Sequence, residues 1–101
     1  MIEVHQTDEF KTWLRRLKDD NAVARIVARV RRMEQGNPGD THSVGSGVME
    51  MRVDYGPGYR VYYAPRGTAM VILLCGGDKR TQARDIKRAH VMAREMPERQ
   101  G

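Results

Sequence analysis

The spacing of apolar residues changes once along this chain, and that change constrains the fold more than any other feature. Over residues 10–17 and 23–33, apolar side chains recur every three or four positions, as on one face of a helix. From residue 48 onward they alternate with polar residues, as in strands that bury one face. Helices followed by consecutive strands indicate an α+β fold. With 101 residues, the chain is expected to form a single domain over residues 1–101.

Two helices are predicted in the N-terminal third. Thr7 precedes Asp8 and Glu9, the pattern of an N-cap followed by an acidic first turn. The Asp-Asp-Asn run at residues 19–21 can begin a second helix, and the segment GNPGD at residues 36–40 ends it. Two helices joined by so short a break predict an antiparallel hairpin.

Three strands are predicted at residues 48–55, 59–64 and 68–75, separated by tight turns that contain Gly and Pro. A last helix is predicted from about residue 81 to Met96, where Pro97 would end it. The predicted fold class is therefore α+β, with two N-terminal helices, a meander of consecutive antiparallel strands and a C-terminal helix.

The alternation also predicts the register of the first two strands. If their apolar residues share the core face, odd-numbered residues pair with odd-numbered residues, and a shift by one position would bury charges. Arg60 then lies opposite Arg52 or Asp54, and Tyr62 lies opposite Glu50 or Arg52. Two neighbouring arginines are costly unless a carboxylate or a bound anion offsets them. Spacing alone favours ion pairing and anion binding equally.

The amino-acid composition limits the kinds of molecule that the chain is expected to bind. The formal net charge is +5, and 14 of the 18 basic residues are Arg, whose planar group suits phosphate and carboxylate. The longest apolar run, residues 69–75, is too short to span a bilayer, and no signal peptide is found, so a cytoplasmic protein without membrane contact is expected. One cysteine and three scattered histidines predict no disulfide, no metal site and no cofactor.

Four sequence segments carry a family resemblance. They are GNPGD, VGSGVMEMRV, YGPGYRVYY and LLCGGDKRTQARDIKRA, at residues 36–40, 44–53, 55–63 and 73–89. In this order and spacing they resemble the RelE/ParE superfamily of type II toxin–antitoxin toxins, in its HigB-like or addiction module killer branch. The resemblance covers residues 26–93, about two-thirds of the chain. It implies the RelE-like fold, in which two N-terminal helices pack on a twisted antiparallel sheet of about four strands and a C-terminal helix follows. This layout agrees with the one predicted above.

The resemblance also implies an activity. Such toxins are endoribonucleases that cut mRNA, usually in the ribosomal A site, and so inhibit translation. They need no metal, because the 2′-OH of the substrate attacks the adjacent phosphate and leaves a 2′,3′-cyclic phosphate (or 3′-phosphate) and a 5′-OH. The implied partners are mRNA on the ribosome and a cognate antitoxin, often a helix-turn-helix protein, through which the complex would contact DNA.

Residue roles follow from the same resemblance. Arg60 in GYRVYY matches the sheet arginine that would stabilise the pentavalent phosphate. Lys79 in GGDK matches the basic residue that would neutralise charge or protonate the leaving 5′-oxygen. Many relatives place a Tyr or His near the C-terminal end as acid or base, whereas this chain has Arg-Asp-Ile at residues 84–86. His90, one turn further on, could substitute or could equally be a histidine on the helix surface.

Tyr62 or Glu50 could replace the missing acid or base, and Tyr62 could also stack on a base of the RNA. The predicted site thus has a catalytic group and a group that binds RNA. The first is Arg60, Lys79, Tyr62 and Glu50, and the second is Arg52, Arg80, Arg84 and His90.

Two alternatives remain open at this point. ParE-like members of the superfamily poison DNA gyrase and cut no RNA, and they share the fold, so the fold cannot decide between the two activities. The missing C-terminal aromatic residue keeps the gyrase interpretation open, and the basic sheet face favours RNA cleavage. In a third interpretation the chain is a non-catalytic module whose basic face binds only an acidic segment of the antitoxin.

Overall fold

A computed structural model describes residues 1–96, and in this part of the chain three α-helices accompany a five-stranded sheet. The predicted α+β class is confirmed, since two helices precede most of the sheet and a third follows it. Pro97, the predicted end of the last helix, lies outside the described residues. The elements are β1 (Glu3–Gln6), α1 (Asp8–Arg16), α2 (Asp20–Glu34), β2 (Thr41–Gly45), β3 (Val48–Val53), β4 (Tyr59–Arg66), β5 (Met70–Asp78) and α3 (Gln82–Glu95), with a short 3₁₀ turn (Lys79–Thr81) before α3.

The strand order across the sheet is β1-β5-β4-β3-β2. Strands β3, β4 and β5 form the predicted antiparallel meander, β2 extends it antiparallel to β3, and β1 adds to the far edge parallel to β5. The sheet is therefore mixed and has one strand more than the approximate number predicted. The two edge strands were not located from the sequence because they have only four and five residues and neither fully buries a side chain.

Both N-terminal helices begin at the predicted caps. Oγ1 of Thr7 accepts a hydrogen bond from the backbone N–H of Phe10 at 3.0 Å, and Oδ1 of Asp19 accepts from the N–H groups of Asn21 and Ala22. These bonds satisfy donors that a helix leaves free at its start. Thr7 also donates its hydroxyl to the carbonyl of Leu74 at 2.6 Å, which ties the start of α1 to β5.

Helices cover both faces of the sheet, so there are two apolar clusters and not one. Helices α1 and α2 pack on the face that carries the odd-numbered residues of β3 and β4, and α3 packs on the opposite face. The first cluster contains Phe10, Ile26, Met33, Met51, Val53, Val61, Tyr63, Val71 and Leu73. The second contains Val48, Tyr62, Ala64, Leu74, Cys75, Ala89, Met92 and Ala93.

The predicted register is confirmed: Arg52 lies opposite Arg60, and Glu50 lies opposite Tyr62. The even-numbered face is not open along its length, however, because α3 lies across it and leaves Glu50 and Tyr62 without exposed surface. Since α3 packs on the Val48 side of this face, the end that carries the two arginines stays uncovered.

Two glycines at the end of β5 allow helices to approach the sheet closely. A Cβ on Gly76 would overlap the ring of Trp13 from α1, and a Cβ on Gly77 would overlap the carboxylate of Asp85 from α3. The Gly-Gly pair thus lets one helix side chain pack against each face of β5.

Candidate functional site

The uncovered end of the even-numbered face forms an open hollow of about 310 Å³. Three cationic side chains from three different segments line it: Arg52 from β3, Arg60 from β4 and Lys79 from the turn after β5. The sequence placed Arg60 and Lys79 in one site, and both contribute to this hollow. The remaining lining residues are Asp40, Val53, Asp54, Gly58 and Tyr59.

Arg60 is the most constrained of the three cations, with only 8% of its surface exposed. One Nη donates to the carbonyl of Gly58 at 2.7 Å, in the turn that precedes β4. Its Nε is buried without a hydrogen-bond partner and lies 3.7 Å from Oε2 of Glu50, too far for a hydrogen bond. A buried guanidinium that is incompletely hydrogen-bonded at the wall of a hollow can gain from a bound anion.

Glu50 is fully buried beneath the hollow and accepts hydrogen bonds on both carboxylate oxygens. Oε1 lies 3.0 Å from Nε of Arg52 and 3.0 Å from Nε2 of His42, and Oε2 accepts from the hydroxyl of Tyr62 at 2.8 Å and the amide of Gln82 at 2.9 Å. Burial alone would raise the pKa of Glu50, but the hydrogen bonds from Gln82, Tyr62 and Arg52 outweigh it and hold the pKa below its ordinary value. Glu50 is therefore an anion at neutral pH.

Tyr62 has no exposed surface and donates its hydroxyl to Glu50. Burial and this hydrogen bond raise the pKa of the phenol well above its ordinary value. The ring cannot stack on a base of RNA, and this part of the sequence interpretation is wrong because α3 covers the residue. Glu50 thus orients Arg52, Tyr62 supports Glu50, and neither of these two residues lines the hollow.

Lys79 and Arg80 follow β5 in a turn that Asp78 caps, because its side chain accepts from the backbone N–H of Arg80 at 2.8 Å. Lys79 is exposed, and within residues 1–96 no salt bridge involves it. Arg80 is paired with Asp78 at 3.0 Å, with 81% of its side chain exposed, and it does not line the hollow. The hydrogen bond from Arg80 also lowers the pKa of Asp78.

The other two residues predicted to bind RNA lie elsewhere. Arg84 lines a separate cavity of about 620 Å³ between α1 and α3, together with Trp13 and Cys75. His90 lies with its Nε2 at 2.9 Å from the carbonyl oxygen of Val44, a contact that fastens α3 to β2. Neither side chain lines the hollow, so of the four residues predicted to bind RNA only Arg52 does.

Two residues of this network were not predicted from the sequence. His42 lies directly opposite Glu50 on β2, and Gln82 is the first residue of α3. If β2 had been recognised as a strand, the even number of His42 would have indicated that it shares a face with Glu50. Gln82 carries no comparable signal, because its contact depends on how α3 packs.

The described residues were also searched for groups that could bind a metal ion and for helices that could span a membrane. Among residues 1–96, no group of three or more His, Cys, Asp or Glu side chains is arranged to hold a metal ion. Over the same residues, every helix is too short or too polar to cross a lipid bilayer.

Similarity to known proteins gives the class and then the family. The model of the family described as phage derived protein Gp49-like (DUF891) matches residues 12–96. A protein of Haemophilus influenzae described as uncharacterized is 48% identical over 95 residues, which are 94% of this chain and 96% of that protein. Fold and similarity thus define a protein of the RelE/HigB-like toxin–antitoxin superfamily. Within it, the chain belongs to the Gp49-like family, and this membership implies an antitoxin partner.

Proposed function

We propose that this protein is the toxin of a type II toxin–antitoxin system, in the HigB-like branch, and that it acts in the cytoplasm as an mRNA endoribonuclease. The observation that carries the proposal is the hollow in which Arg52, Arg60 and Lys79 converge over a buried carboxylate. Three cations from three segments suit the phosphodiester of a single RNA strand and the charge that develops on it during cleavage.

The chemistry assigned to the hollow uses the substrate's own 2′-hydroxyl. The 2′-oxygen forms a bond to the adjacent phosphorus, the bond from phosphorus to the 5′-oxygen breaks, and a 2′,3′-cyclic phosphate and a 5′-OH result. Arg60 stabilises the pentavalent phosphate, because it is held in place by burial and by Gly58 before the substrate arrives. Lys79 neutralises or protonates the leaving 5′-oxygen, and Arg52 binds a neighbouring phosphate oxygen.

The lining of the hollow favours a substrate that the ribosome positions. Tyr59 is the one aromatic side chain among the lining residues of the hollow, all of which belong to the described part of the chain, and Tyr62 is buried beneath it. Cationic side chains bind the phosphates of the RNA backbone without distinguishing the bases. Stacking of bases on aromatic rings normally supplies much of the binding free energy for a single strand. An mRNA that is already bound in the ribosomal A site does not need this stacking contribution. Cleavage is therefore proposed to depend on the ribosome and to stop translation.

The antitoxin is proposed to be a helix-turn-helix protein that also carries the complex to DNA. An acidic segment of such a partner would complement the cationic hollow and would exclude RNA from it. In this arrangement, the toxin contacts DNA only through its partner.

The test uses purified protein, translating ribosomes and a defined mRNA. We expect fragments that end in a 2′,3′-cyclic phosphate and begin with a 5′-OH. Arg60→Ala should lower the cleavage rate by about 100-fold or more, the usual cost of removing one group that stabilises transition-state charge. Arg31→Ala, which removes an exposed arginine from α2, is the matched control and should cleave normally.

Because Arg60 is buried, circular dichroism and antitoxin binding must show that the variant still folds. Arg60→Lys, which keeps the charge but loses the planar fork, provides a second variant that should also be impaired. Growth arrest by Arg60→Ala as strong as that by the parent would show that the assignment of Arg60 is wrong. Intact mRNA together with gyrase-linked DNA breaks would favour a gyrase poison. If neither mRNA fragments nor DNA breaks were found, the interpretation as a non-catalytic binding module would be favoured.

A further inference from the structure

We propose that Arg29, on α2, is a positioning residue that holds Arg52 and the loop of residues 36–40 in the geometry that binds the substrate. This inference rests on the proposed nuclease function and assigns a role to a cation that does not itself line the hollow. The observation behind it is a set of hydrogen bonds from one guanidinium to the backbone of residues that form the wall of the hollow.

The guanidinium of Arg29 reaches backbone carbonyl groups on two segments. Nη1 donates to the carbonyl of Arg52, on β3, at 2.6 Å. Nη2 donates to the carbonyl of Pro38 at 2.7 Å and makes a longer contact of 3.4 Å with the carbonyl of Asp40. Arg52 and Asp40 both line the hollow. One side chain thus joins α2 to two neighbouring parts of its wall.

The backbone of Arg52 is held on both of its polar groups. Its N–H donates to the carbonyl of Asp40 at 3.0 Å, one residue before β2 begins. The N–H and C=O of a strand residue point toward the same neighbour, so the carbonyl of Arg52 also faces this loop, where Arg29 supplies its donor. At the other end of the side chain, Nε of Arg52 donates to Glu50 at 3.0 Å. Glu50 therefore fixes the guanidinium of Arg52, and Arg29 fixes the backbone that carries it.

The loop has a glycine at the point where Arg29 approaches it. Gly39 has a φ of +77°, in the left-handed region, and a Cβ there would lie 2.8 Å from Nη2 of Arg29. Gly36, in the same loop, has a similar φ of +84°, but among the described residues nothing lies within 4 Å of the position of its Cβ. A side chain at residue 39 would therefore displace the cation, whereas one at residue 36 would not.

Stability alone does not account for this arrangement. Within residues 1–96, Nε of Arg29 is buried without a hydrogen-bond partner, and the oxygens that hold the guanidinium are those of neutral carbonyls. A buried donor without a partner lowers stability, and such departures from good packing are expected close to functional sites. A requirement for one fixed position of Arg52 accounts for the cost.

The first test measures kcat in the ribosome cleavage assay, at a temperature where circular dichroism shows that every variant is fully folded. Arg29→Ala should lower kcat about 10- to 100-fold, because a displacement of about 1 Å in a group that contacts the substrate can have an effect of this size. Arg31→Ala, an exposed arginine of the same helix, is the control and should keep the parent's rate. Unchanged cleavage by Arg29→Ala would overturn the assignment.

A combination with Arg52→Ala separates positioning from a general loss of structure. If Arg29 acts through the side chain of Arg52, Arg29→Ala should cost little further rate once that side chain is absent. The loss in the double variant should then be smaller than the product of the two single losses. Losses that multiply in full would show that Arg29 acts independently of Arg52, and the assignment would be wrong.

Two glycine variants keep the inference testable if Arg29→Ala does not fold. Gly39→Ala should displace Nη2 of Arg29 and lower kcat, whereas Gly36→Ala adds similar backbone strain without a contact to Arg29 and should cleave like the parent. Equal rates for the two glycine variants would overturn the role of Arg29 and leave the nuclease function standing. A parent protein that releases no cyclic-phosphate fragments would instead defeat the proposed function, and this inference with it.

Discussion

Arg52 and Arg60 lie directly opposite each other on neighbouring strands, and both approach the same buried carboxylate. Like charges in opposite positions of a sheet normally destabilise it. Here Glu50 offsets them from below, since Oε1 accepts from Arg52 at 3.0 Å and Oε2 lies 3.7 Å from Nε of Arg60. The two interpretations that the sequence left open are therefore compatible, because ion pairing below the arginines leaves the hollow above them open.

The first prediction concerns Glu50→Gln. The change leaves two neighbouring arginines without their counter-charge, and breaking a buried ion network in this way costs about 3 kcal/mol of unfolding free energy. Because the pKa of Glu50 is lowered on folding, its contribution is complete above its unfolded value, near 4.5, and disappears as pH falls through the folded pKa.

Urea unfolding at a series of pH values measures this directly. The difference in stability between parent and Glu50→Gln should be constant near neutral pH and should narrow in acid. A difference that stays the same down to pH 3 would show that Glu50 is not the group responsible. Glu34→Gln on α2 provides a comparison that should show little change at any pH.

The second prediction concerns Gly77→Ala. The added methyl group would overlap Oδ2 of Asp85 and come within 2.9 Å of Oγ1 of Thr81, so α3 must move away from β5. Overpacking of this kind costs about 2 kcal/mol. Removing the obstructing carboxylate in Gly77→Ala/Asp85→Ala should cost less than the sum of the two single changes, because the residues are in contact. Additive costs in thermal unfolding would contradict the close approach.

The third prediction concerns the thiol of Cys75, which is 4% exposed. Burial, together with the charges of Glu9 and Asp85, raises the pKa of Cys75 to about 12. Since the thiolate is the reactive form, the folded protein should react slowly with a disulfide reagent at pH 8 and rapidly once unfolded. Rapid reaction of the folded protein would show instead that the cavity between α1 and α3 opens to admit the reagent.

The fourth prediction concerns the salt dependence of RNA binding. Each phosphate contact to a single strand contributes about −0.7 to the slope of log affinity against log salt. Lys79→Ala should make the slope shallower by about that amount for an RNA with a 2′-deoxy residue at the cleavage site, measured by fluorescence anisotropy. Lys11→Ala, on α1, should leave the slope unchanged. Equal slopes for both variants would place the RNA outside the hollow.

The sequence was sufficient for the three helices, for the three central strands and for the register between β3 and β4. Alternation placed Glu50, Arg52, Arg60 and Tyr62 on one face, because a shift by one residue would exchange apolar and charged side chains. Helix caps were equally local, as Thr7 and Asp19 act on backbone groups two or three residues away.

The remainder of the site depends on packing that no local pattern encodes. The apolar stripe of α3 does not indicate which face of the sheet it covers, so the burial of Tyr62 and the contact of Gln82 with Glu50 were not predicted. The edge strand β2 is too short to be recognised by alternation, and His42 remained unplaced with it. Arg84 was assigned from its position in a motif, whereas its helix directs it to another cavity.

The three hydrogen bonds that Glu50 accepts, from Arg52, Tyr62 and Gln82, have a consequence for how such a protein is controlled. They hold Arg52 in place when the chain folds, so under the proposed function a phosphodiester would meet that side chain in its working orientation and little reorganisation would remain. Under the proposed function, a chain built in this way would be competent as soon as it folds. Restraint would then fall to a second polypeptide, the antitoxin that family membership implies, made in sufficient amount at the same time.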